Sequence, residues 1–267
     1  MDLLLNEEKR RTMTRVILAI YILIAISTFI YRVIMAVPRN GSETTFAEVM
    51  SMALPGLSAI IMAFYYMEIR HLEGKSDTLI LLAAIVFVAH FFGEGDLLFG
   101  RGSLIIELFY GLFTIYVILS LAQRYQGTDR RISILLVLGL VFLIFAFGVD
   151  FLHDRGVDVE VFDIPGWYLE EIPEFYTAMF FLHASALIYG GLPASGRRYR
   201  PRAYHWILLA IFLTTISGGN SMLFYLDTFS DPVTRAMRGG ALMFAGTVAT
   251  MLTLAHILWK AGVVGDR

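Results

Sequence analysis

Apolar residues follow one another for about 20 positions at a time along this chain, with short polar stretches between, the alternation of a polypeptide that crosses hydrocarbon repeatedly. Eight such runs lie near Thr14 to Ala36, Phe46 to Arg70, Thr78 to Leu98, Leu104 to Gln123, Ile132 to Phe151, Tyr168 to Tyr189, Tyr204 to Leu226 and Ala236 to Trp259. The pattern predicts an all-α polytopic membrane protein of eight transmembrane helices, with residues 1–267 as a single transmembrane domain. A charged stretch, Glu7 to Arg11, precedes the first run and no small-residue cleavage site follows it, so that run reads as a retained anchor. Between runs, the clearest basic linker is Arg197 to Arg202 with Pro193 and Pro201, and the longest acidic connection is His153 to Trp167. In the latter, Gly156, Pro165 and Gly166 argue against a continued helix. Phe91-Phe92-Gly93-Glu94-Gly95-Asp96 before Arg101-Gly102 echoes Phe145-Ala146-Phe147-Gly148-Val149-Asp150 before Arg155-Gly156, which reads as a tandem helical hairpin.

Composition agrees with this pattern. Hydrophobic residues make up 57% and charged residues 16% of the chain, where a soluble domain is nearer a quarter charged. The mean hydropathy is +0.68. Cysteine is absent, which removes thiolate nucleophiles, thiolate metal sites and disulfides together. If eight helices alternate, 15 of the 21 Lys and Arg residues fall on one side, from Lys9 through Arg70, Arg124, Arg131 and Arg202 to Arg267. The positive-inside rule makes that side cytoplasmic, with both termini there and the chain in the plasma or inner membrane. Six arginines against 15 carboxylates remain on the other side. That surface concentrates cations and repels anions. It leaves the lipid bilayer as partner and excludes nucleic acid; a homo-oligomer is also expected.

Candidate chemistry gathers on the acidic side. Asp150, His153 and Asp154 close the fifth run, and Glu170, Glu171 and Glu174 open the sixth. Helical spacing puts His153 and Asp154 on the face of Asp150, and Glu174 on the faces of Glu170 and Glu171. Two acidic faces then meet across one loop, and carboxylates with an imidazole suit a divalent metal of the Zn, Mn or Fe kind. Asp150, His153, Glu171 and Glu174 are the candidate metal ligands; Glu94, Asp96, Glu107 and Glu170 extend the ligand-binding rim. Acids in a first helical turn are also favoured by the macrodipole without any ligand.

Other chemistries fare worse. His90 and His183 lie in apolar surroundings but differ in depth by about two turns, awkward for two ligands of one haem iron; hydrogen bonding to a neighbouring helix accounts for them. Lys9, Lys75 and Lys260 all lie at the basic margin, so no buried amine exists for a retinal Schiff base. No G-x-S-x-G elbow appears around Ser217 and Ser221. Trp167, Trp206 and Trp259 fall at expected interfaces as aromatic-belt residues, and Ser217-Gly218-Gly219-Asn220-Ser221, Gly239-Gly240 and Gly246 predict close helix packing.

Gly95-Asp96-Leu97-Leu98, Ile216-Ser217 to Asn220, and Phe244-Ala245-Gly246 resemble segments of the lysoplasmalogenase family. That resemblance implies eight helices, both termini inside, and Asp96 as a catalytic residue. The departures are Leu54-Pro55 where the family has lysine-proline, Thr114 and Tyr116 where it has a histidine, and Asn220 for its second aspartate. Asp150 followed by Pro173 and Glu174 is similar to the lycopene cyclase pattern, but only one glutamate follows the proline.

Three functions remain. The leading expectation is an outward-facing acidic vestibule that binds a cation or proton-linked small ligand for transport or sensing. The second is a lysoplasmalogenase-like lipid hydrolase or carotenoid-modifying enzyme, with Asp96 and Asp150 as catalytic acid and base. The third is a scaffold subunit without catalysis.

Overall fold

A computed structural model describes residues 42–93, 104–153, 166–192, 198–199, 201–224 and 232–262. They form seven α-helices, with no strand among them: α1 Ser42–Glu73, α2 Thr78–Gly93, α3 Leu104–Gln126, α4 Arg130–His153, α5 Gly166–Gly190, α6 Ala203–Phe224 and α7 Pro232–Lys260. These match the second to eighth predicted runs; the first, near Thr14 to Ala36, lies outside the described residues.

Four helices are long and apolar enough to cross a membrane, through Val49–Glu73, Leu108–Gln126, Arg130–Leu152 and Ala236–Lys260. The expected eight spans are corrected to four among the described residues. In α2 the apolar helix Thr78–Phe92 is short. α5 and α6 have 25 and 22 residues, but Glu174 and His183 interrupt one, and His205 and Asn220 the other. Polar residues of this kind are kept where a helix faces protein, and both helices pack against α1.

The outward faces are apolar. Phe109, Leu112 and Tyr116 on α3, Val141 and Ile144 on α4, and Phe244, Met251 and Leu252 on α7 are all exposed. Water tolerates no such continuous surface. These faces meet lipid, and the chain is a helical membrane protein.

α1 is the hub: 83% of its apolar stretch is buried, against 17% for α7. It packs on α2, α5 and α6; the pairs α2–α3, α3–α4 and α4–α5 close a ring through it, and α7 attaches through α6. Phe64, Phe87, Phe181 and Met62 fill the core. Glycine sets the closest approaches. A Cβ on Gly219 would stand 2.7 Å from the Gly239 carbonyl, and one on Gly246 would stand 2.8 Å from that of Phe212, so the predicted small-residue packing joins α6 to α7.

The tandem hairpin is not supported. α4 packs along α5, whereas the described parts of α2 and α3 share no such extended pairing, and Glu94 to Gly102 of the first copy lie outside the described residues. Trp206 is a further correction: it is buried, edge-on to Phe64 at 5.7 Å and beside Tyr189, so it belongs to the core and not to an interfacial belt.

One end of the bundle is basic. Asp77 caps α2 by accepting the Ile80 amide and pairs with Arg124 of α3 at 2.6 Å. Asp129 caps α4 by accepting the Arg131 amide at 3.1 Å. Arg198 donates to the carbonyls of Ala261 and Gly262, just past α7. Asp77 and Asp129 satisfy orphan amides at helix starts, and Arg198 satisfies carbonyls at a helix end.

Candidate functional site

At the opposite, acidic end the α4–α5 hairpin positions the candidate ligands. Thr177 Oγ1 donates to the Gly139 carbonyl at 3.2 Å, and Phe142 lies 5.7 Å from Tyr176 and 5.8 Å from Phe180. Gly139 makes this possible, since a Cβ there would stand 2.6 Å from the Phe181 ring. These contacts fix an antiparallel register. Continued residue for residue, it sets Asp150 level with residues 166–172, the opening two turns of α5, which include Glu170 and Glu171, with Glu174 deeper in the same helix. Asp150 and Glu174 are half-buried, and each is engaged by a neighbouring group.

The remaining predicted residues divide in two. His153, Glu107, Glu170 and Glu171 have backbones within α4, α3 and α5, but their side chains lie outside the described residues. Glu94, Asp96 and Asp154 lie outside them altogether. Among the described residues no three His, Asp or Glu side chains gather as a metal-binding group. The hairpin thus brings two of the proposed acids, Asp150 and Glu174, to the flanks of one interface.

His90 is buried on α2 and engaged by a neighbouring group. A buried polar seam lies between α1 and α6. Leu213 approaches Gly56, and Asn220 reaches Met52; the same antiparallel register brings Ser51 level with Ser217, Asn220 and Ser221, all of them fully buried. Asn220 Nδ2 contacts only the Met52 sulfur, at 3.6 Å, while its Oδ1 meets no donor among the described residues. Either end of the carboxamide can carry the oxygen. In both orientations one polar end lacks a strong partner.

Glu68 escaped the sequence reading. Its carboxylate, wholly buried near the basic end of α1, accepts the Tyr199 amide at 2.6 Å and the Arg198 amide at 3.1 Å. The signal was an acid inside Tyr65-Tyr66-Met67-Glu68-Ile69-Arg70, where adjacency to Arg70 makes it look like ordinary end decoration. Here it binds the backbone of the α5–α6 connection across about 130 residues of sequence. Its role is to hold that connection in place.

Comparison with known protein families, with curated proteins and with solved structures found no match. The lysoplasmalogenase resemblance therefore stands on its short segments alone.

Proposed function

We propose that the protein is embedded in a cell membrane with both termini cytoplasmic, and that the rim between α4 and α5 binds a cation or proton-linked small ligand for transport or sensing. The observation that supports this reading is the α4–α5 register, which brings Asp150 level with residues 166–172, the opening of α5 that includes Glu170 and Glu171, with the half-buried Glu174 deeper in the same helix. A carboxylate at the centre of a membrane helix costs about 2.5 to 3.5 kcal/mol on insertion scales, and less near the ends. A bound cation offsets that cost. Asp150, His153, Glu171 and Glu174 are its ligands in this proposal, and a mixed oxygen and nitrogen set favours Zn, Mn or Fe over Ca.

Elemental analysis of the purified protein, with thermal unfolding in the presence of ZnCl2 or MnCl2, tests it. Wild type should retain metal or gain stability on its addition, and Asp150→Asn with Glu174→Gln should abolish the response. An identical response in the double variant refutes the site.

A second reading, an intramembrane lipid-modifying enzyme, is favoured by the Asn220 carboxamide, buried without a strong partner among the described residues and beside Ser217 and Ser221. Lipid mass spectrometry after incubation with a lysophospholipid distinguishes the two. Turnover lost in Asp96→Asn and in Asn220→Leu supports the enzyme, and turnover intact in Asp96→Asn refutes it.

A further inference from the structure

The ends of α6 and α7 at the basic end carry a cluster that the proposed function does not use. Arg202 N–H donates to His205 Nδ1 at 2.9 Å, and His205 N–H donates back to the Arg202 carbonyl at 2.9 Å, a reciprocal cap on α6. The first of these bonds fixes the tautomer. Because Nδ1 uses its lone pair as an acceptor, a neutral ring carries its proton on Nε2. His205 is only 6% exposed, and this buried Nε2–H meets no acceptor among the described residues.

Its surroundings are basic. The Tyr204 ring lies 4.0 Å away and that of His256 5.6 Å, with Trp259 6.3 Å beyond His256. The titratable groups of the described residues that act on His205 are His256, Arg202 and Lys260, with no acid among them. The amino-terminal end of α6 adds its own partial positive charge. A metal ion is disfavoured, because Nε2 is protonated and the Arg202 and Lys260 charges repel a cation. An anionic acceptor answers both the orphaned donor and the uncompensated charge.

The setting indicates the source of that anion. Tyr204 and Trp259 are large exposed aromatics, 45% and 61% accessible, of the kind that sit at headgroup level. α7 is the least enclosed of the candidate spans. A ligand arriving here comes along the lipid boundary.

We propose that the juxtaposed ends of α6 and α7 form a binding site for the phosphate of an anionic membrane lipid, with His205, His256, Arg202 and Lys260 as its donors. The site is independent of the acidic rim, and its failure would leave the α4–α5 reading untouched.

The test uses the full chain in detergent, titrated with phosphatidylglycerol, phosphatidylcholine or inorganic phosphate and followed by native mass spectrometry and thermal unfolding. Phosphatidylglycerol should bind and stabilise where phosphatidylcholine does not. In His256→Gln/Lys260→Gln, phosphatidylglycerol affinity should fall about fivefold through the Lys260 charge removed, and further through the lost His256 donor. His205→Asn, which keeps an acceptor for the Arg202 amide but removes the Nε2–H, should weaken lipid binding while leaving the lipid-free protein folded. Inorganic phosphate that matched phosphatidylglycerol at equal concentration would overturn the lipid as ligand. Equal binding of the two lipids, or undiminished phosphatidylglycerol affinity in the double variant, would overturn the site.

Discussion

Replacing Glu68 with glutamine exchanges one carboxylate oxygen for an NH2 group and sets a donor against a backbone donor, either the Tyr199 amide at 2.6 Å or the Arg198 amide at 3.1 Å. A hydrogen bond to a charged group contributes roughly 1.5 to 3 kcal/mol, and a buried donor left unmet costs about 1 to 3 kcal/mol. The two figures describe the same lost contact and are not summed. Glu68→Gln should therefore destabilise the protein by about 2 to 3 kcal/mol, and Glu68→Ala, which removes both acceptors, by about 3 to 5 kcal/mol. For a chain of this size each kcal/mol lowers the melting midpoint by about 2 to 4 °C. The glutamine variant should melt some 4 to 12 °C early, a range set by the same conversion. Thermal unfolding in detergent, read by tryptophan fluorescence, measures it directly because Trp206 packs on Phe64 one turn from Glu68. Limited proteolysis should also cut the α5–α6 connection faster in both variants. A midpoint within about 1 °C of wild type for Glu68→Gln, with unchanged cleavage, would refute the clamp.

Three further outcomes follow from the packing. Gly219→Ala places a Cβ against the Gly239 carbonyl and the Met243 amide, so α6 and α7 must part, at a cost of about 1 to 3 kcal/mol in thermal unfolding. Asp77→Ala removes the α2 cap and the Arg124 pair; the cap accounts for about 1 kcal/mol and the partly exposed pair for less, so a lowering of midpoint of a few degrees is expected. Trp206→Ala should destabilise by about 3 to 5 kcal/mol, while Trp259→Ala, at an exposed position, should leave the midpoint nearly unchanged; equal effects would return Trp206 to the interface.

Hydropathy located the helices well and their surroundings poorly. The predicted run from Leu104 to Gln123 became α3, Leu104–Gln126, and that from Ala236 to Trp259 became α7, Pro232–Lys260, because length and apolarity alone decide where a backbone must close its own hydrogen bonds in lipid. The same signal does not separate a lipid-facing side from a protein-facing one, since both are apolar. Trp206 and Trp259 therefore looked alike in sequence, yet one fills the core and the other is exposed. Asp150 and Glu174 were legible because charge is conspicuous at the ends of apolar runs. Glu68 and His205 were not, as their partners are backbone amides far along the chain or on a preceding turn, and amides leave no residue-type signature.

The Glu68 clamp also constrains the order in which the molecule can be completed. A nascent chain makes the carboxylate about 130 residues before the amides that receive it. During that interval the carboxylate lacks these two amides, so the basic end of α1 reaches its final packing only once the α5–α6 connection is synthesised. The hub around which the other helices gather is thus among the last parts of the molecule to be sealed.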